Sequence, residues 1–288
     1  MFPLAALYRI GYIVHHKLCL APGRPTGHAQ VLVIGSYRIG GAGKTPFCAW
    51  LAGELCGMGK KVAVLCHAAA QDEAALLRDK LPGCTVIATR NRYETAHEID
   101  SQYDIILCDD GFEDSRLQFA KAICLDWGDE PQGIADLFPA GRARSLATDH
   151  KNIALRLECA GAAPDIRFCI KEVRNARGET PATAGGNARG KSEENVTLLA
   201  GIGDPERFFR DAARAGLQAG KTIALRDHGD GIRDKAAKLL AKGIPVVTTE
   251  KDARRLDAET LQSENLFVAV QSVDVVPDAR KKIMALLR

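Results

Sequence analysis

Apolar residues fall into two kinds of pattern along the chain. Short β-branched runs at 31–36 (VLVIGS), 61–66 (KVAVLC), 85–88 (TVIA), 104–110 (DIILCDD) and 122–127 (AICLDW) predict strands. After the first run, residues 44–58 place Phe47, Leu51 and Leu55 at helical spacing and end at Gly57 and Gly59, which predicts a helix closed by glycine. A second set follows: strands at 196–203, 222–225, 244–249 and 266–270, helices at 205–215 and 231–241, and a final helix near 278–287. Between the sets, residues 176–195 are rich in Gly, Ala, Thr and charge and carry no hydrophobic period, so they read as a linker or exposed ribbon. There is no internal repeat. Strands alternating with helices predict α/β layers around a largely parallel sheet, followed by a second, smaller α/β domain. The expected boundaries are 1–150 for an N-terminal helix and nucleotide-binding domain, 151–195 for a linker or β-ribbon, and 196–288 for the second domain, its last helix placed to pack back on the first.

The 288 residues are 46% hydrophobic and 26% charged, values that exclude fibrous and largely disordered chains. Lys+Arg 39 against Asp+Glu 36 leaves +3, too little for charge to imply a nucleic-acid partner. The nine cysteines form no C-x-x-C pair, which disfavours a zinc site, and their placement in apolar runs predicts buried, reduced thiols. Charge is uneven at the start of the chain, where no Asp or Glu precedes Glu54. The opening MFPLAALYRIGYIVHHKL is apolar but broken by Arg9 and shorter than the roughly 20 residues a spanning helix needs. It also lacks the basic start and small-residue cleavage site of a secretory signal. Two readings stand side by side: an interfacial helix with a basic flank (Arg9, His15, His16, Lys17), or a helix packed on its own domain.

The sharpest local chemistry is GSYRIGGAGKTP (35–46), directly after a predicted strand and opening a predicted helix. Such a loop aims backbone N–H groups and a positive helix end at phosphate oxygens. Gly40, Gly41 and Gly43 let the backbone come close, Lys44 can neutralise β- and γ-phosphate charge, and the Thr45 hydroxyl can ligate Mg²⁺. The pattern G-x-x-x-x-G-K-[ST] asks for glycine where this chain has Arg38. Ile39 stands where partition-type ATPases carry a signature lysine, which argues against that class. A GTPase would need N-K-x-D, and TEKD at 249–252 has Thr249 in the amide position.

Asp109 and Asp110 end the apolar run 104–108, the place of a Mg²⁺-holding Walker-B carboxylate or, more plainly, of an Asp-Gly turn. A kinase also needs a group to deprotonate its acceptor hydroxyl. Asp72, Glu73 and the Asp227-His228 pair are the candidates, although Asp227-His228 alone reads as a surface turn.

The motifs GGAGKTP (40–46), QDEAALL (71–77), DDGF (109–112), FPAGRAR (138–144), GIGDPERFF (201–209), RDH (226–228) and TTEKDARRL (248–256), in that order, resemble the lipid A 4′-kinase (tetraacyldisaccharide 4′-kinase) family. The resemblance implies a P-loop kinase-like parallel sheet domain with a second, smaller α/β domain, and ATP and Mg²⁺ as cofactors. It implies an acylated glucosamine disaccharide 1-phosphate as the substrate phosphorylated on its 4′-hydroxyl. It also implies a peripheral place on the cytoplasmic face of the bacterial inner membrane, reached through the N-terminal helix; the sequence itself makes no obligate protein partner evident. Carried over by position, Arg38, Ile39, Gly40, Gly41, Ala42, Gly43, Lys44 and Thr45 correspond to the ATP-binding loop. Asp72 corresponds to the catalytic base and His228 to its pairing histidine, while Thr45, Asp109 and Asp110 lie toward the metal. Arg142 falls in the family's P-A-G-x-x-R-E region, facing substrate phosphate.

Several positions depart from the family pattern. Ser36-Tyr37-Arg38-Ile39 replaces N-I-T-V, Cys66-His67-Ala68-Ala69 replaces R-G-Y-G, Gln71 stands for the glycine of G-D-E, and Gly229 for the last histidine of D-H-H. Glu113 and Asp114 replace Gln and His after DDGF, and two added acids there would repel an anionic acceptor unless a cation compensates. The departures frame an alternative, a divergent or inactive paralogue that binds ATP with a different acceptor or none.

Overall fold

Branched apolar runs covered on both faces build the first of two units into which the chain divides, Met1–Arg167 with Asp274–Arg288; the second is Phe168–Val273. The computed structural model describes residues 1–16, 23–175, 196–227, 229 and 231–287. In the first unit, β1 (Gln30–Gly35), β2 (Val62–His67), β3 (Thr85–Thr89), β4 (Ile105–Asp109), β5 (Lys121–Asp126) and β6 (Ile153–Glu158) form one sheet in the order β3-β2-β4-β1-β5-β6. All of its pairings are parallel. β1 is central and almost wholly buried, hence its unbroken hydrophobic run. One neighbour, β4, sets Asp109 level with Ile34; the other, β5, sets Cys124 level with Gly35. The chain leaves β1 toward β4, β2 and β3 and later crosses to β5, which makes the carboxyl end of β1 the switch point where open α/β sheets take their ligands.

Helix α1 (Phe2–Val14) precedes this sheet, and α2 (Lys44–Gly57) follows β1 and buries Phe47, Cys48, Leu51 and Leu55, the predicted stripe. Two further helices were not predicted. α3 (Gln71–Lys80) buries only Ala74 and Leu77, and α4 (Arg92–Glu98), capped by the Asn91 side chain on the Glu94 N–H, buries only Arg92 and Ala96. Neither carries enough apolar residues to show a period. Cys56, in the last turn of α2, and Cys84, just before β3, form a disulfide, which corrects the reading of all cysteines as reduced at this pair. Cys48, Cys66, Cys108, Cys124 and Cys159 are free and buried, and Cys169 is free and half-buried.

In the second unit, β8 (Thr197–Ala200), β9 (Lys221–Ala224), β10 (Val246–Thr249) and β11 (Leu266–Val275) join β7 (Ile166–Asn175) in the order β7-β11-β10-β8-β9. Successive strand residues serve opposite faces. Leu198 and Val247 pack with Phe208, Phe209 and Ala212 of α5 (Pro205–Arg214). Their neighbours Leu199 and Val246 pack with Ile232 and Ala236 of α6 (Gly231–Leu240). Short helices α7 (Glu250–Ala253) and α8 (Ala258–Leu261) follow β10, and α9 (Pro277–Leu286) ends the chain within the first unit.

Candidate active site

Strand β1 ends at Gly35, where an added Cβ would lie 1.9 Å from the Phe112 ring, so this crossing of the two motifs requires glycine. The loop then turns into α2 through Gly43, at φ 81, a left-handed conformation open to glycine and strained for other residues. Lys44 is thereby the first helical residue, buried under the loop, with Nζ 3.3 Å from Asp110 Oδ1. Thr45 Oγ1 donates to Asp109 Oδ2 at 2.8 Å. Parallel pairing of β1 with β4 is what brings the two motifs together, although 64 residues separate Thr45 from Asp109.

The two acids differ sharply. Asp109 is buried, and burial, reinforced by the charges of Glu73 and Asp110, pushes its carboxyl up to about 7 despite the Thr45 bond and Lys44. Burial would also raise Asp110, but Lys44 and Arg144 outweigh it and hold that carboxyl down to about 2. Asp110 adopts φ 54, unusual for a non-glycine residue, and its backbone carbonyl accepts from Arg92 Nη2 at 3.2 Å. Its carboxylate accepts from Arg144 Nη1 at 2.8 Å. Arg144 also donates through Nη2 to the Ile39 carbonyl at 2.9 Å. One guanidinium therefore ties the end of β4 to the phosphate loop. The Ile39 N–H donates to the Arg142 carbonyl and the Arg144 N–H to the Tyr37 carbonyl, so segment 137–145 lies along the loop's entry.

Among the sequence candidates the structure thus gathers Ile39, Lys44, Thr45, Asp109 and Asp110. It places Arg144, not Arg142, against the acids; Arg142 offers its carbonyl and leaves its side chain exposed. Laid over Pro139-Ala140-Gly141-Arg142-Ala143-Arg144, the pattern P-A-G-x-x-R-E sets its arginine at Arg144, so the spacing of the motif was the signal that could have found the residue that turns inward. Arg92 was also missed, because a buried arginine (8% exposed) in a polar segment leaves no mark in hydrophobicity. Arg38 turns toward β5: its Nε donates to Asp129 Oδ2, and its guanidinium lies 4.9 Å over the Trp127 ring.

Asp72 and Glu73 open α3, past the carboxyl end of β2. Asp72 Oδ1 accepts the Glu73 N–H at 3.0 Å, while its Oδ2 is buried without a hydrogen-bond partner. Asp72 forms no described bond with the gathered group, whereas the charge of Glu73 reaches Asp109. His228 lies outside the described residues. In the second unit, Asp252, fully buried, accepts from the Gly201 N–H at 2.9 Å and from Thr249 Oγ1 at 3.0 Å. Arg255 donates to the Gly201 carbonyl at 3.2 Å and to the Gly229 carbonyl. GIGDPERFF, TTEKDARRL and the turn after β9 are thus bound into one knot.

The residues fit a magnesium ion. Asp109 Oδ1 is buried without a hydrogen-bond partner, next to the Thr45 hydroxyl that already bonds Oδ2. No group of three His, Cys, Asp or Glu among the described residues could hold a metal alone. A hydroxyl and one or two carboxylates suit an ion that takes its other ligands from water and nucleotide phosphates.

Glu113 and Asp114 are both engaged. Asp114 caps the turn at 115–117 and pairs with Arg116 at 2.8 Å, and Glu113 accepts from Ser145 Oγ at 2.9 Å. Ser145 also meets His150 Nε2 at 2.7 Å. Helix α1 rests beside this cluster: Arg9 forms two bonds to Asp149, at 2.5 and 2.8 Å, and Tyr8 sets its edge against Phe138. Arg9 is therefore not part of a free basic flank. Burial lowers His16, which faces Glu113, although the Glu113 charge opposes the shift. Lys17 lies outside the described residues. The opposite face of α1 leaves Leu4, Leu7, Ile10 and Val14 exposed, and Phe2 is exposed at the start of the helix. Packing on the domain and an uncovered apolar face coexist in the same helix. No described helix is long and apolar enough to cross a membrane.

The family model described as tetraacyldisaccharide-1-P 4′-kinase matches residues 1–288. A tetraacyldisaccharide 4′-kinase of Nitrobacter winogradskyi is 32% identical, the match covering 95% of this chain and 86% of the relative. One of Bradyrhizobium diazoefficiens is 33% identical over 88% of this chain and 81% of the relative. In fold, the chain is similar to the crystal structure of LpxK from Aquifex aeolicus in complex with ATP, with a TM-score of 0.67 at 20% identity, covering 99% of this chain and 98% of that one.

Proposed function

Because the chain belongs to the tetraacyldisaccharide-1-P 4′-kinase family, we propose that it transfers the γ-phosphoryl group of ATP to the 4′-hydroxyl of a tetraacylated glucosamine disaccharide 1-phosphate. The observation that carries this reading is the group formed by Lys44, Thr45, Asp109, Asp110 and Arg144 around the glycine loop. In phosphoryl transfer the new bond joins the acceptor oxygen to the γ-phosphorus while the bond to the ADP oxygen breaks, and catalysis is mostly positioning and charge stabilisation. Loop amides from 40 to 45 hold the phosphates, and Lys44 neutralises charge growing on the bridging and terminal oxygens. Arg144, held by Asp110, keeps the loop in register with the acids. Thr45 with Asp109 or Asp110 would hold Mg²⁺, which would supply Lewis-acid charge to the phosphates. Asp72 takes the proton of the 4′-hydroxyl, and its partnerless Oδ2 supports that role; His228 is assigned as its pairing histidine from the family motif. Because Asp114 is paired with Arg116, the repulsion expected of it toward an anionic acceptor is moderated.

The acceptor is acylated, so the enzyme must work at a bilayer surface. The uncovered face of α1 suits the cytoplasmic surface of the inner membrane, with the helix lying in the interface. The test is an assay of the purified full chain with labelled ATP and the tetraacyl acceptor in mixed micelles. Label should enter the lipid at the 4′ position, and transfer should vanish in Lys44→Ala and fall sharply in Asp72→Asn and His228→Ala. Full turnover by Asp72→Asn would remove the base assignment, and absence of transfer to the lipid by the wild-type chain would remove the acceptor.

A further inference from the structure

Trp127 is the first residue past β5, half-buried, and its indole Nε1–H donates to the carbonyl of Ala42, within the phosphate loop, at 3.1 Å. Over the same ring lies the Arg38 guanidinium, 4.9 Å from the centroid, with Arg38 Nε donating to Asp129 Oδ2 at 2.5 Å. An aromatic face and a stacked guanidinium thus border the loop on the side of β5. Lys44, Thr45, Asp109 and Asp110 gather on the other side of β1, at the end of β4. A triphosphate whose terminal phosphate meets those groups, with its chain along residues 40–45, extends its nucleoside end away from β4 and toward β5.

We propose that Trp127 and Arg38 form the wall against which the purine ring of the nucleotide stacks, so that they select for the nucleoside and not for the phosphates. The inference rests on ATP as the phosphoryl donor. Its physical basis is that a purine is a flat π-system, and an indole carrying a stacked guanidinium offers dispersion and cation–π attraction to such a ring. The Ala42 contact defines a rival role, in which the indole only braces the loop, and the two roles separate cleanly. A brace supports phosphate binding, whereas a wall touches the base.

The experiment compares binding of Mg-ATP and of Mg-tripolyphosphate to the full chain by calorimetry, for wild type, Trp127→Phe and Trp127→Leu. The leucine variant keeps apolar bulk and removes the π face, and the phenylalanine variant keeps a π face but cannot donate to Ala42. ATP affinity should fall about tenfold in Trp127→Leu, stay within about threefold in Trp127→Phe, and tripolyphosphate affinity should hold in both. In addition, with Trp50→Phe leaving Trp127 as the one remaining tryptophan of the two in the chain, its emission should change with ATP and not with tripolyphosphate. Equal losses for both ligands, a phenylalanine variant as impaired as leucine, or emission blind to ATP would overturn the wall. If a variant does not fold, the emission experiment still decides. A wild-type chain that binds tripolyphosphate but not ATP removes the donor reading itself, a result distinct from any of these.

Discussion

Asp109 and Asp110 are adjacent in sequence, yet their surroundings drive them apart, Asp109 up to about 7 and Asp110 down to about 2. The difference has a thermodynamic sign. Between the ordinary carboxylate value and about 7, the native state keeps the Asp109 proton that the unfolded chain releases, so this group makes stability fall as pH rises through that window. Asp109→Asn removes the penalty. In magnesium-free buffer its melting temperature should gain on that of the wild type between about pH 5 and pH 8, as read by calorimetry. A gap that does not widen with pH would show that Asp109 titrates normally. Magnesium binding to the carboxylate must likewise strengthen as pH rises through the same range, since the metal displaces the proton. Arg144 is the other decisive side chain, with one nitrogen on Asp110 and another on the Ile39 carbonyl. Lysine cannot span both acceptors. Arg144→Lys should lower kcat by about 100-fold while leaving acceptor KM within a few-fold, measured by initial rates.

Helix α1 has two faces of different character. Its inner face is held by the Arg9–Asp149 pair, with both side chains less than one-fifth exposed, and its outer face presents Leu4, Leu7, Ile10 and Val14. These functions should separate on mutation. Leu7→Glu, at a residue 64% exposed, should leave melting unchanged and reduce co-sedimentation with anionic vesicles several-fold. Arg9→Ala should instead lose about 2 kcal/mol and speed amide exchange across residues 2–14, because Asp149 is left half-buried without its partner. Vesicle binding unaffected by Leu7→Glu would place the membrane contact elsewhere. α3 shows the converse case, a helix whose worth lies in where it starts. Its first turn carries Asp72 and Glu73 past the end of β2, while Ala74 and Leu77 hold it to the sheet.

At the scale of the whole chain, each unit has its own sheet, and in each the telling contacts join residues distant in sequence. The Asp252 knot binds the end of β8 to the turn after β9. Asp252→Ala strands the Gly201 N–H and should destabilise the chain by about 3 kcal/mol, seen in urea unfolding, with Arg255→Ala smaller in effect. Much of the architecture was legible in one dimension. Buried parallel strands need continuous apolar runs, and the runs at 31–36, 61–66 and 104–110 announce β1, β2 and β4. A glycine loop must precede its helix directly, so the loop at 40–43 and the helix that opens at Lys44 were readable as elements. Short elements with few buried residues, such as α4 and β6, were not, since their stability comes from neighbours and not from their own periodicity. Nor could local spacing show that Arg144 reaches both Asp110 and the Ile39 carbonyl, that Cys56 meets Cys84, or that Trp127 meets Ala42. Hydrophobic period and motif order reside in the chain and settle the fold class, the family and the position of the glycine loop before its helix, because backbone geometry imposes them within a few residues. Which charges face one another, and hence why one aspartate holds its proton and its neighbour gives it up, depends on distance and burial in three dimensions, and those exist only once the strands have paired.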